Sequence, residues 1–196
     1  QRGTMDPWEA LDTDLRNIGI ITGNAETGAA AADDVAERLE ALRALPAPEG
    51  RPTIFLVDST SDTILSSGSF GGPQGIIDAA GARSATEDVA DTWTSVSWER
   101  LAAEDPDMIA FVDYGEQTVD DKIAALKAHP ASRDLKAVRE NRFVNLPYGM
   151  WVSSPLNIDA AETIRAVLEK HGLAPETGLT PQLDVTELQL GGNDWL

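Results

Sequence analysis

The chain has 196 residues, 42% hydrophobic and 24% charged, which is enough to bury a full core and ordinary for a globular protein. A formal net charge of −18 speaks against nucleic acid or an anionic membrane as partner, because both call for clustered Lys and Arg. The absence of Cys removes disulfides, thiolate chemistry and thiolate metal sites together, and no apolar run reaches the length of a membrane span.

In chain order, Gln1-Arg-Gly-Thr-Met-Asp-Pro7 reads as a cloning scar joined to a chain cut from something longer. Trp8 to Arg43 reads as helix, with a Gly-containing break at Asn17 to Gly23. Beyond the break, Ala29, Ala32, Val35, Ala36, Leu39, Leu42 and Leu45 recur at threes and fours and mark one stripe of a long helix, Ala25 to Leu45. Pro46 to Pro52 ends it, and Thr53-Ile-Phe-Leu-Val-Asp58 is a buried strand.

A short extended piece from Ile64 runs into a Gly-rich loop, Gly68 to Pro73. Pro73 suits the first turn of a helix that carries Ile76, Ile77 and Ala80 and stops at Gly81. Ala82 to Ser95 is polar and reads as connection. Ser97 can cap a helix that Pro106 stops, and Met108-Ile-Ala-Phe-Val112 is apolar throughout, as a strand covered on both faces requires. The loop Asp113-Tyr-Gly-Glu-Gln-Thr118 follows, then helices at Val119 to His129 and Ser132 to Glu140, and a strand at Arg142 to Leu146. After Pro147-Tyr-Gly-Met-Trp151 a last long helix runs from Pro155 to about Lys170, and the tail beyond Gly172 is expected along the surface, held by Leu188, Leu190 and Trp195. Strand and helix in alternation give a three-layer α/β/α sandwich with a mainly parallel sheet.

The common catalytic signatures fail. Ser66 to Gly71 lacks the order of a nucleophile elbow, and no phosphate loop or dinucleotide fingerprint occurs. Asp12-Thr-Asp14 opens like a calcium loop, but Arg16 and Asn17 break the ligand pattern. His129 and His171 lack a second metal ligand at useful spacing and read as helix-end residues. The acidic pairs read as solvated helix faces. What stands out is aromatic residues in Gly-containing loops after strands: Phe70, Tyr114, Tyr148 and Trp151, each of them a candidate for either ligand contact or core.

Five short patterns in order, Ile18-Gly-x-x-Thr-Gly23, Val96-Ser-x-Glu-x-Leu101, Asp105-Pro-Asp-x-Ile109, Leu135-x-Ala-Val-x-x-x-Arg142 and the closing strand with its long helix, resemble the substrate-binding proteins of ABC importers for ferric siderophores, haem and cobalamin. The resemblance implies two α/β lobes joined by one long helix, with the ligand between them. It divides the chain into 1–23, the scar and the end of a missing first lobe; 24–46, the joining helix; 47–172, the carboxyl-terminal lobe; and 173–196, a tail. It also implies a non-enzymatic binding protein with no intrinsic cofactor, whose ligand is a metal chelate. The implied partners are a permease and the first lobe. The implied location is outside the cytoplasmic membrane, tethered by a lipid on a Cys outside this chain.

Carried over residue by residue, ligand contacts would come from Phe70, Gly72, Tyr114, Tyr148 and Trp151. Family members often add an Arg for an anionic chelate, and none stands in these loops. Asp78 matches an acidic position that docks to the permease. The competing reading is a small α/β hydrolase or sugar-modifying enzyme that uses Asp113, Glu116 and Asp120.

Overall fold

The computed structural model describes residues 6–188 and 190–191, so Trp195 lies outside the described residues. Helix α1 (Pro7–Ile21) starts where the Asp6 side chain accepts from the N–H groups of Trp8 and Glu9, with Pro7 in its first turn. It stays helical through Ile21, past the break expected at Asn17; the turn comes only at Gly23, whose φ of +75° suits glycine. Helix α2 (Ala25–Arg43) then folds back along α1. The two backbones touch at Gly19 and Gly28: a Cβ on Gly28 would stand 2.7 Å from the Leu15 carbonyl oxygen.

The main sheet is parallel in the order β4-β1-β6-β7, from β1 (Thr53–Val57), β4 (Arg83–Ser84), β6 (Met108–Asp113) and β7 (Phe143–Pro147). Alternate residues of these strands face two separate cores, as a strand's period of two dictates. Ile54, Leu56, Met108, Ala110, Val112, Val144 and Leu146 meet helices α3 (Gly72–Ala79) and α7 (Asn157–Lys170), with α1 and α2 outside them. Phe55, Val57, Ile109, Phe111 and Phe143 meet α4 (Trp98–Glu104), α5 (Val119–Ala128) and α6 (Lys136–Arg139). Each of these side chains larger than alanine contributes roughly 1.5–3 kcal/mol on burial. This is the three-layer α/β/α sandwich that the strand and helix alternation predicts.

Two stretches depart from expectation. The polar segment after Ala82 contains β4 and β5 (Trp93–Val96), and β5 pairs antiparallel with β3 (Ile64–Ser67), which pairs with β2 (Ser59–Thr60) in a second sheet. The half-buried side chains of β5 carry no apolar alternation, so its pairing comes from the tertiary partner. The helix expected over Ser132 to Glu140 is only the single turn α6, because the Ser132 hydroxyl bonds back to the Leu126 carbonyl and holds a tighter turn first.

The tail follows the surface. Val185 is buried, and Leu179 and Leu183 pack against the α7 side of the core, while Leu188 is exposed. Farther on, the Asn145 side-chain amide in β7 donates to the Gly191 carbonyl at 2.9 Å.

Candidate functional site

From β1 the chain moves one way to β4 and then the other way to β6, so the crevice beyond the carboxyl ends of β1 and β6 is the switch point where open α/β sheets place ligands. Asp58 directly follows β1, and Asp113 ends β6 with Tyr114 next in the chain. The Tyr114 hydroxyl crosses the crevice and donates to the Asp58 carboxylate at 3.1 Å. From β7, next in the sheet, Tyr148 brings its ring to 4.8 Å from that of Tyr114, tilted by 43°.

Asp58 is 3% exposed, and burial pushes its carboxyl above the usual aspartate value, against hydrogen bonds from Tyr114 and Ser59 and the charge of Lys122. Lys122 is itself buried, and its Nζ donates to the Val112 carbonyl at 2.6 Å. Burial pulls that ammonium below the usual lysine value, while the charges of Asp58 and Asp113 act the other way. Burial, followed by the charge of Asp58, also raises the Tyr114 phenol, so the phenol keeps its proton at neutral pH.

The loops are held from within. Gln117 donates to the Thr60 carbonyl and hydroxyl and accepts from the Thr60 N–H at 2.8 Å, which ties the loop after β6 to β2. The Gly-rich loop lies along residues 89–92: the N–H groups of Gly68, Ser69 and Phe70 donate to the carbonyls of Thr92, Val89 and Asp91. At Gly72 an added Cβ would stand 3.1 Å from the Trp151 carbonyl oxygen, so a side chain there would push the α3 start off the loop after β7.

Of the residues singled out in the sequence, Phe70, Tyr114 and Tyr148 are exposed, at 37%, 47% and 43%, on the loops beyond β3, β6 and β7. Trp151 is not: it is 0% exposed, and its indole N–H is shared between the carbonyls of Phe111 and Leu146. It supports the wall from behind, because a buried indole needs an acceptor and the sheet supplies two. Asp78 is exposed on α3, where Arg51 reaches it at 2.7 Å and Gln74 donates to its other oxygen at 2.9 Å. Asp113 is half-buried, and Glu116 and Asp120 are exposed. Among the described residues no group of three His, Asp or Glu is placed to hold a metal ion.

Asp58, Gln117 and Lys122 escape a reading by residue type. Asp58 leaves one trace in the sequence, since it ends its apolar strand just as Asp113 ends the next one. An open cleft of about 530 Å³ lies at the opposite ends of the strands, between Pro52, Asp107 and Leu173, and contains no aromatic ring.

Comparison with known proteins matches the family model described as periplasmic binding protein over residues 3–148. A periplasmic binding protein from Veillonella parvula is 27% identical, with a TM-score of 0.69 over 85% of this chain and 57% of its own. The haem-binding protein BhuT, solved with two haems, is 25% identical, with a TM-score of 0.71 over 87% of this chain and 65% of its own. An ABC-type Fe3+-hydroxamate transport protein from Saccharomonospora viridis shares the fold at 19% identity and a TM-score of 0.73, over 82% of this chain and 56% of its own. The chain thus spans between half and two thirds of the length of these structures, and a search of curated protein sequences finds no match. With the family model covering most of its residues, and with the fold and switch-point crevice already in place, the chain belongs to the periplasmic binding protein family.

Proposed function

We propose that this chain is the carboxyl-terminal lobe and joining helix of a substrate-binding protein that captures an iron chelate or a related large metal cofactor and delivers it to an ABC importer. The observation that carries this reading is the exposed Tyr114–Tyr148 pair over the switch-point crevice, with Phe70 exposed on a neighbouring loop. Exposed rings on loops braced by internal hydrogen bonds form a pre-built wall for a large, flat or apolar ligand. Family membership, and the haem named for BhuT, agree with it.

In this reading residues 47–172 form one lobe and α2 joins it to a second lobe that closes the other side of the ligand. The protein works outside the cytoplasmic membrane, held by a lipid on a Cys beyond this chain, and Asp78 on α3 seats the lobe on the permease. Gly72 lets the start of α3 approach the loop after β7, and Trp151 holds that loop in place.

The test is a titration of the two-lobed protein with ferric siderophores, haem and cobalamin, followed by calorimetry. Saturable binding of one chelate supports the assignment. Silence with all of them, together with turnover of an ester or glycoside that Asp113→Asn abolishes, overturns it in favour of an enzyme. Because a binding site normally covers some 70–90% of its ligand, the chain alone should bind far more weakly than the two-lobed protein. Submicromolar affinity in the isolated chain would contradict the two-lobe reading.

A further inference from the structure

We infer that the chelate bound at this wall carries a net positive charge. The inference rests on the binding reading above and adds the ligand's electrostatic class. It starts from what the wall offers a ligand. Residues 58–73, 113–121 and 147–156 contain no Lys, Arg or His, and of their acids Asp62, Asp113, Glu116 and Asp120 are open to a ligand, while Asp58 is buried under Tyr114 and Asp121 caps α5. The nearby cation Lys122 is 1% exposed and spends its ammonium on the Val112 carbonyl, so it stands behind the wall.

The donors of the loops are spent in the same way. The N–H groups of Gly68, Ser69, Phe70, Gly71 and Gln74 all reach carbonyls within the chain, at 2.6 to 3.2 Å, and Pro73 has no N–H. Of this turn only the Gly72 N–H has no such partner, so the Gly-rich loop offers an anion a single backbone donor although it leads into a helix. Tyr114 gives its hydroxyl proton to Asp58, and this leaves its oxygen outwardly an acceptor.

What remains is a surface of carboxylates, acceptors and exposed ring faces, with the Tyr148 hydroxyl and the Gly72 N–H as its donors. Such a surface repels a trianionic tricatecholate or the propionates of a porphyrin, and offers them no cation and few donors. A cation gains from both features, because the electron-rich faces of Tyr and Phe attract an ammonium and the carboxylates add Coulombic attraction. A ferric trihydroxamate has a neutral metal core, so a free ammonium on its chain makes the whole complex cationic.

The experiment uses this chain and gallium(III) complexes, which keep the charge and size of the ferric ones without paramagnetism. Three probes are titrated by NMR: a trihydroxamate that ends in a free ammonium, its N-acetylated neutral twin, and a tricatecholate. The ring signals of Tyr114 and Tyr148 should shift, with about tenfold tighter binding of the cationic complex than of its acetylated twin. The preference should collapse toward unity in the Asp113→Asn, Glu116→Gln variant and in high salt. Equal affinity for the twins, or tighter binding of the tricatecholate, overturns the charge inference and leaves the chelate reading intact. No shift with any probe up to millimolar concentration overturns the charge inference as well, while the chelate reading stands or falls on the titration of the two-lobed protein.

Discussion

The Tyr114 hydroxyl donates to the Asp58 carboxylate at 3.1 Å and so closes, with one bond, the gap between two strands that leave the switch point in register. Burial holds the folded pKa of Asp58 above its unfolded value, so ionised Asp58 opposes the fold and the Tyr114 bond offsets part of that opposition. Tyr114→Phe should raise the Asp58 pKa further and reduce stability by about 1 kcal/mol at neutral pH. The deficit should shrink as pH falls through the folded pKa of Asp58, where the protonated acid no longer needs the charge-assisted bond. Urea unfolding at several pH values, with NMR of the Asp58 carboxyl carbon, checks both halves.

Trp151 sits behind the wall, and its role should separate cleanly from ligand contact. Trp151→Phe removes an N–H shared by the Phe111 and Leu146 carbonyls and reduces the volume of a fully buried side chain. The expected loss is about 2–4 kcal/mol of stability, from the cavity and the unpaired carbonyls together. Ligand affinity at temperatures where the variant stays folded should change less than it does for Tyr148→Ala. A larger affinity loss for the Trp151 variant would put that ring in contact with ligand after all.

The parts of the fold that rest on local rules could be read directly. Ser97 does cap α4, with its hydroxyl accepting from the Arg100 N–H, and the uninterrupted apolar run from Met108 is the central strand β6. Strand β5 could not be read that way, because its half-exposed residues owe their pairing to β3 and not to any pattern of their own. At the site, the aromatic residues were visible as a class, but Tyr148 and Trp151, three residues apart across one 3-10 turn, take opposite fates, and only packing decides which ring is outside. Buried polar partners such as Lys122 were invisible for the same reason: an exposed and a buried lysine on a helix look alike in sequence.

Arg38 clamps α2 to α7, with Asp159 at 2.6 Å and Glu162 at 2.8 Å, all three side chains largely buried. Hydrogen bonds that it donates to Glu162 and Asp159 hold its guanidinium firmly protonated against the effect of burial. Arg38→Ala leaves two neighbouring carboxylates buried without a cation, and the expected destabilisation is about 3–5 kcal/mol. Adding Glu162→Gln should recover part of the loss, since one buried charge then disappears. Thermal denaturation of the single and double variants at neutral pH measures this. Additive losses in the double variant would mean that the three residues do not act as a unit.

The tail is fastened by a carboxylate. Burial raises the Glu169 carboxyl, but bonds from the Thr177 N–H at 2.8 Å and hydroxyl at 2.7 Å, with Arg165 beside them, outweigh it and hold the group below the usual glutamate value. A depressed folded pKa contributes stability that is present above the unfolded value and is lost as pH falls through the folded one. The tail should therefore stay closed at neutral pH and loosen in acid below the ordinary glutamate range. The protection factor of the Thr177 amide should fall there, and Glu169→Gln should lower it already at neutral pH. Protection unmoved by the substitution would assign the tail's hold to Leu179, Leu183 and Val185 and to the Asn145–Gly191 bond instead.

Asp78 tests the docking part of the proposal. Its two oxygens are occupied, one by Arg51 at 2.7 Å and the other by Gln74 at 2.9 Å, yet about half of both charged side chains remains exposed. An exposed pair of this kind contributes about 0–1 kcal/mol, so Arg51 can give way to an arginine of a permease at little loss. Arg51 also donates to the Ala82 carbonyl at 2.8 Å, which keeps it in place when Asp78 turns outward. Asp78→Ala should therefore leave the stability of the lobe within about 1 kcal/mol of its original value and leave chelate affinity unchanged, while uptake through the importer falls. The fall should be steepest in low salt, where charge-guided encounter matters most. Arg51→Ala should have the opposite sign, with uptake equal or faster, because it frees the carboxylate. Uptake unchanged in the Asp78 variant at both low and high salt, or chelate binding weakened by it, would remove Asp78 from the docking surface.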